Sequence, residues 1–492
     1  MVDYTKKVLS GSVFIFVIGI LSAFIAFIFR IVLARNLSLE EFGLFYAVFV
    51  FVGFFTFLRN FGWGASLIKY IPEFKVKGKY DSIKSTIIIT STLRIIFALV
   101  VGLVFFILSD FLANNYFHDP SASLILKLLS IFFILSVFVD ITRNLLEAFQ
   151  KPFWFPFVDF LKNFFVLVLV LGFFYFGLGI LSPVIAYLII AFILPILFLP
   201  VILRSFNFSK YKITFSKELV KKFFLFGLPF IFISTAAIVI AQVDTLLLTY
   251  FRTLEEVGVY NVVLPISLLL LQFSNAISVI LFPMCSELWA KGDKEKLIKV
   301  INFIYKYSFI FVIPIGLLIF SFAPSLLQVF FGEEYVVGSL AMRILLIGVI
   351  LYTIANVNQY ILAGIGKPKI TAKIVIIVAL FNFLGNLVLI PIYGIVGAAI
   401  MTTLSYVLAL ILSLKYLRKL ISLKISFKSW IKTFFAGLII VLTVNILSNI
   451  FSFNVWVELI LFSVIALSIY ISLLFLFKLV SVEGINGIFH KK

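Results

Sequence analysis

The stretch LSLEEFGLFY, residues 37–46, returns as RTLEEVGVYN, residues 252–261, at an offset of 215 positions. Three further anchors keep nearly that spacing. EFKVKGKYDSI (73–83) matches ELWAKGDKEKL (287–297) at 214, LLEAFQKP (145–152) matches ILAGIGKP (361–368) at 216, and Gly179-Ile180 matches Gly394-Ile395 at 215. Anchors in one order, with offsets that barely drift, mark a duplicated unit, and such a repeat sets the fold before any local pattern does. The expected division is a first lobe over 1–209, a second over 210–417, and an unduplicated remainder over 418–492.

Composition says what was duplicated. Hydrophobic residues make up 63% and charged residues 12% of the 492 positions, and mean hydropathy is +1.24, against about 25% charge in an average soluble domain. Apolar runs near the ~20 residues needed to cross ~30 Å of hydrocarbon as a helix occur over 10–34, 43–58, 86–109, 123–139, 153–176, 180–202, 223–249, 258–282, 300–323, 339–363, 374–390, 395–414, 433–449 and 458–477. The expected fold is therefore an all-α polytopic membrane protein with 14 transmembrane helices, 1–6 repeated as 7–12 and followed by two more. Continuous runs of this length exclude a porin-like barrel, whose strands alternate over about ten residues.

Loop charge gives orientation. Odd-numbered loops carry only Arg35 and Arg252 against eight acids, whereas even-numbered loops and the termini hold 32 of the 40 Lys and Arg, among them Lys75, Lys77, Lys79, Lys84, Lys217, Lys221, Lys222, Arg418, Lys419 and Lys424. By the positive-inside rule both termini are expected in the cytoplasm of a plasma-membrane protein. The net charge of +19 is then topology plus attraction to anionic lipid, and nucleic-acid binding has no domain to reside in. Lys6 and Lys7 precede a first run too long for a signal-peptide core, so it reads as a retained helix. Cys285 stands alone, and His118 and His490 lie far apart, which leaves no disulfide, zinc site or triad. No Walker A sequence is present. No cofactor is expected, and Asn36-Leu37-Ser38 reads as a chance sequon against the membrane.

Six spans per repeat is an even number, so both halves insert the same way. Parallel repeats of this kind place a substrate site between lobes that alternate in access. RNLSLEEFGLFYAV (35–48), FGLPFIFISTAAIVIAQVDTLLLTYF (226–251), VGVYNVVLPISLLLLQFSNAISVILFPMCSEL (257–288) and ILAGIGKP (361–368) together resemble the polysaccharide-exporter, Wzx-like flippases. These belong to the multidrug/oligosaccharidyl-lipid/polysaccharide (MOP) exporter superfamily, with the lipid II flippases and MATE efflux proteins. The resemblance implies a V-shaped pair of six-helix lobes. It also implies movement of a polyprenyl phosphate- or pyrophosphate-linked glycan to the outer leaflet for surface glycan biosynthesis.

An anionic, hydrated head crossing hydrocarbon calls for fixed cations, and a charge at bilayer depth costs ~2.5–3.5 kcal/mol on insertion scales, so each one asks for a reason. Arg94 is the deepest, about ten residues into the third run or ~15 Å at 1.5 Å per residue, with Thr90 and Ser91 in the same turn. Lys306 sits in the repeat partner of that run and competes between a cleft role and snorkelling. Arg30 and Asp244 fall one position apart in the duplicated frame and suit a gate pair, with Asp244 also a candidate proton or sodium site. Lys127 and Arg343 read as outer-interface anchors, Asp159 and Lys162 as a self-neutralised pair three residues apart. Asp140 with Asn356 and Arg143 with Gln359 keep polarity across the duplication.

Two other classes compete. A MATE-like cation or drug antiporter shares the two-lobe design, but cleft cations repel its cargo. A membrane glycan polymerase or ligase needs catalytic outer loops, which are short and poor in polar groups here; a non-transporting scaffold is a third possibility. The partners expected of a flippase are the lipid-linked glycan, membrane lipids and glycan-assembly enzymes.

Overall fold

The computed structural model describes residues 2–214, 217–421 and 427–479, with side chains given for these except over 2–13 and at 229, 230, 233, 279 and 427. Lys424 and His490 lie outside the described residues. In chain order the helices are α1 (Val2–Asn36), α2 (Leu39–Phe54), α3 (Thr56–Asn60), α4 (Trp63–Val76), α5 (Tyr80–Ile107), α6 (Ser109–Leu112), α7 (Ala122–Ala148), α8 (Trp154–Tyr175), α9 (Leu181–Ser205), α10 (Lys217–Phe251), α11 (Leu254–Leu268), α12 (Leu271–Ala290), α13 (Lys294–Ser321), α14 (Ala323–Phe330), α15 (Ser339–Gly364), α16 (Pro368–Leu420), α17 (Phe427–Ile450) and α18 (Val455–Leu476). Among the described residues thirteen helical stretches are long and apolar enough to cross a bilayer. The chain is a multi-pass membrane protein that divides into two compact units, Met1–Gly258 and Val259–Lys492.

The repeated stretch begins with a helix start. Ser38 accepts from the Glu41 amide at 3.1 Å while Glu41 accepts from the Ser38 amide at 3.0 Å, a capping box that satisfies two otherwise orphaned donors. In the second copy Thr253 accepts from the Glu256 amide at 3.4 Å. The elements recur as the anchors do: α2 and α11 start 215 residues apart, α5 and α13 are both 28 residues long and start 214 apart, and α7 and α15 end 216 apart. The chain also breaks at matching places. Phe55 ends α2, and Leu270, 215 positions later, starts α12, so the continuous span expected over 258–282 is interrupted there.

α16 runs for 53 residues, about 80 Å of helix at 1.5 Å per residue against ~30 Å of hydrocarbon. Gly394 interrupts it with φ 55°, ψ −132°, a conformation that only glycine adopts without strain. The interruption falls between the expected spans 374–390 and 395–414. In the second unit α17 and α18 cover α13, where Ile310, Phe322, Ala436, Ile440 and Phe462 pack together and the Tyr470 hydroxyl donates to the Ile310 carbonyl at 2.9 Å.

α5 shows how lipid inverts the usual pattern. Thr86, Thr90, Arg94, Ala98, Gly102 and Phe105 form its buried stripe, while Ile96, Val100, Leu103 and Ile107 are exposed. The polar side faces protein because hydrocarbon cannot solvate it.

Glycines permit the closest approaches in the first unit. A Cβ on Gly43 would lie 1.8 Å from the Leu254 carbonyl oxygen, and one on Gly258 2.8 Å from that of Leu39. These four residues are two repeat-related pairs, so the duplicated motif contacts its own copy reciprocally. Gly62, at φ 72°, similarly admits Gly227 of α10. Gly43→Ala is therefore expected to lower the thermal midpoint of the purified protein, overpacking of this kind costing about 1–3 kcal/mol. Gly19→Ala, with nothing within 4 Å of its added carbon, should leave the midpoint unchanged or raise it; equal effects at both positions would contradict the close contact.

Candidate functional site

The first unit gathers its buried charge where α3, α5 and α7 meet. The break after α2 is what aims it. Phe61 and Gly62 both have positive φ, 33° and 72°, which ends the short α3 and leaves successive residues Arg59 and Asn60 directed at different neighbours. On α7, Ser136, Asp140, Arg143, Asn144 and Glu147 recur at three- and four-residue spacing and so share one face.

Arg59 donates through Nη1 to the Phe133 carbonyl and, at 2.7 Å, to the Ser136 hydroxyl, and through Nη2 to Asp140 Oδ2 at 2.8 Å. Its guanidinium also lies 4.6 Å from the centre of the Phe133 ring. Arg94, fully buried, donates to Asn60 Oδ1 at 2.8 Å and approaches the same Asp140 Oδ2 at 3.7 Å. One carboxylate oxygen thus serves two arginines. Nε and Nη1 of Arg94 and Nε of Arg59 are buried with no hydrogen-bond partner among the described residues, an omission that ordinarily costs ~1–3 kcal/mol per group.

Asp140 stands between two cavities. The larger, about 440 Å³, is walled by Asn60, Gly64, Arg94, Asp140, Arg143 and Asn144; the smaller, about 190 Å³, by Thr56, Arg59, Ser136, Asp140, Lys162 and Tyr187. The Asp140 side chain keeps 36% of its surface accessible while that of Arg94 keeps none, so of the two wall residues it is the carboxylate that solvent reaches. Arg143 pairs with Asp159 at 2.9 Å and with Glu147 at 3.4 Å. Asp159 therefore reaches across to α7 rather than pairing along its own helix, and the expected Asp159–Lys162 pair is replaced: Lys162 lines the smaller cavity.

Arg30 donates to the Tyr46 hydroxyl at 3.1 Å and lies 5.0 Å from that ring's centre. Asp244 is buried, 1% exposed, in α10. Lys306 is half-buried beside the Tyr307 ring, in the second unit. Lys127 pairs with Asp110 at 3.0 Å, whose carboxyl is held below its ordinary value by hydrogen bonds from Ser123 and Lys127. Arg343 donates to the Phe320 carbonyl at 3.1 Å.

Arg59 has no sequence prominence because the apolar run 43–58 ends one residue short of it, and Asp140, just past the run 123–139, stands out only through the polarity it shares with Asn356 across the duplication. The signal that finds them is the duplication. At offsets of 215, 215, 214 and 216, Arg59, Asn60, Arg94 and Asp140 correspond to Ser274, Asn275, Ser308 and Asn356. The geometry corresponds as well: Asn356 donates to Ser274 Oγ and Asn275 Oδ1, both at 2.9 Å. The second unit builds the same junction without charge.

A multi-helix membrane fold with two buried arginines on the walls of neighbouring cavities is the class of protein these observations define. Residues 8–289, more than half of the chain, match the polysaccharide biosynthesis protein family, and the chain belongs to it, within the MOP exporter superfamily. Residues 229–388 also match the MatE family. An uncharacterized membrane protein of Methanocaldococcus jannaschii is 29% identical over 503 residues, 99% of each chain. A Haloferax volcanii protein named "Probable low-salt glycan biosynthesis flippase Agl15" is 28% identical over 184 residues, 37% of this chain and 39% of that one. The solved structure "Lipid II flippase MurJ, inward closed conformation" shares the fold, with TM-score 0.76 at 17% identity over 95% of this chain and 98% of that chain.

Because the second unit packs the junction with neutral groups, the triple variant Arg59→Ser/Arg94→Ser/Asp140→Asn should fold with a thermal midpoint at or above that of Arg59→Ser alone. Removing one partner strands the others, whereas replacing all three does not. A triple variant less stable than the single one would show that the charges are needed for packing.

Proposed function

We propose that this protein flips a polyprenyl phosphate- or pyrophosphate-linked oligosaccharide from the cytoplasmic to the outer leaflet, by alternating access, for surface glycan assembly. The observation that carries the reading is the pair of buried arginines whose N–H groups are not all partnered among the described residues, Arg94 on the wall of the larger cavity and Arg59 on that of the smaller, in a chain of the polysaccharide biosynthesis family. A guanidinium holds a phosphate through two parallel hydrogen bonds, and each is stronger in a dry wall than in water.

Topology and coupling belong to the same reading. Counting α16 as two spans about Gly394 supports fourteen crossings, arranged as two parallel six-helix repeats plus two, and the loop cations favour both termini in the cytoplasm of a plasma-membrane protein. Arg30 and Lys306 are candidates to guide the head along the path, and Asp244, a buried carboxylate on α10, to couple transport to a proton or sodium gradient. An apolar groove of about 440 Å³ in the second unit, walled by Phe309, Ile313, Leu317, Trp430 and Phe434, has the surface a polyprenyl chain requires. Glycan-assembly enzymes are its expected partners.

The MatE match over 229–388 keeps a cation antiporter as the second reading. Organic cation efflux from vesicles carrying the protein, unaffected by Arg94→Ala, would favour it.

Arg94→Ala should reduce export of the lipid-linked glycan by about tenfold or more, the scale of a charge-assisted hydrogen bond at ~1.5–3 kcal/mol, with protein abundance unchanged. Arg94→Lys should retain partial activity, keeping the charge without the planar fork. The measurement is lipid-linked precursor retained on the cytoplasmic leaflet. Wild-type export by Arg94→Ala at normal abundance removes the residue from the mechanism, and precursor that never forms points instead to a polymerase or ligase.

A further inference from the structure

The best-shielded cation of the site already has an anion beside it. Arg94 is fully buried, its Nε and Nη1 find no partner among the described residues, and it shares the wall of the larger cavity with the partly accessible carboxylate of Asp140, whose Oδ2 also accepts from Arg59. As it stands, a phosphate entering that cavity meets an accessible negative charge beside a guanidinium that solvent does not reach. The second unit shows that the junction does not need this carboxylate for packing, because Asn356 makes the corresponding contacts to Ser274 and Asn275.

We propose that Asp140 is a resident counter-ion occupying the oxyanion position of the Arg59–Arg94 pair, and that the phosphate head of the cargo binds by displacing it. Arg59 is then a second ligand of the phosphate. The inference rests on the flippase reading and adds to it how the site is kept occupied when cargo is absent. An anionic head brings several oxygens where Asp140 offers one to two arginines, so exchange satisfies donors that the resting arrangement leaves open. The displaced carboxylate is not stranded: Arg143, three residues along α7, shares the wall of the larger cavity with it, and Lys162 shares that of the smaller. Release follows by the reverse exchange, with Asp140 competing the phosphate off without movement of either arginine.

The test is binding of farnesyl diphosphate to the purified full-length protein, with farnesol as the uncharged control. Asp140→Asn should bind the diphosphate on the order of tenfold tighter than wild type, having lost a charged competitor at the site, and should export less glycan because release is slowed. Glu147→Gln removes a carboxylate from the same helix that contacts Arg143 but neither Arg59 nor Arg94. It should change affinity by less than about threefold, separating displacement from general electrostatics. Should Asp140→Asn fail to fold, the comparison is made between Arg59→Ser and Arg59→Ser/Asp140→Asn, where the second change should again tighten binding. Equal or weaker binding on removal of the carboxylate, or an equal gain from Glu147→Gln, overturns the counter-ion role while leaving the flippase reading intact. Absence of diphosphate binding by wild type and every variant overturns both.

Discussion

A guanidinium cannot be left facing hydrocarbon, and it cannot be neutralised by losing its proton at any ordinary pH. Arg94, midway along α5, must therefore find its acceptors in protein. That requirement turns the polar stripe of α5 inward with Thr86 and Thr90, brings Asn60 to it from α3, and requires a carboxylate from α7. The apolar residues of the opposite face are exposed for the same reason, since lipid solvates Ile96, Val100 and Leu103 as well as protein would.

Duplication explains how such a site arises at little structural cost. Both repeats carry a helix start capped from a hydroxyl, a break one turn before the junction residues, and a hydrogen-bonded contact between that junction and the fourth span of the repeat. In the second unit every member of the contact is neutral, the solution lipid favours. In the first, four positions on the same frame carry two arginines, one aspartate and one asparagine. The frame keeps the junction packed in either case, so the charges are free to serve binding. The motif LSLEEFG supplies both the cap and Gly43, whose missing side chain lets the two copies touch.

The sequence was most legible where physics is least local. Total hydropathy, the 215-residue offset and the loop cations define a multi-pass repeat protein, and Gly394 lies in the gap between two apolar runs because the same residue that interrupts hydropathy also breaks the helix. Hydropathy fails at the edges of runs. It ended one span before Arg59 and another before Asp140, since a charged residue always lowers the local average, even when the helix continues and buries it. Pairing was misjudged for a related reason: three-residue spacing makes Asp159 and Lys162 neighbours on α8, but Arg143 on α7 offers a fork at 2.9 Å. Helix spacing says which groups can meet along one helix, not what a neighbouring helix presents.

A carrier that moves a multiply charged head must bind it firmly enough to desolvate it and loosely enough to lose it on the far side. Two bare arginines in a dry wall would satisfy the first condition and fail the second, as each charge-assisted contact is worth ~1.5–3 kcal/mol and they act together. A carboxylate shared between them lowers affinity by the free energy of its own pairing, and it does so at every stage of the cycle without a separate trigger. It also spares the empty protein a buried, unpaired cation, the state that is costly in a membrane. Asp140 is placed to serve both needs with a single side chain, and the absence of any charge at Asn356 is consistent with only one unit having to hold the head.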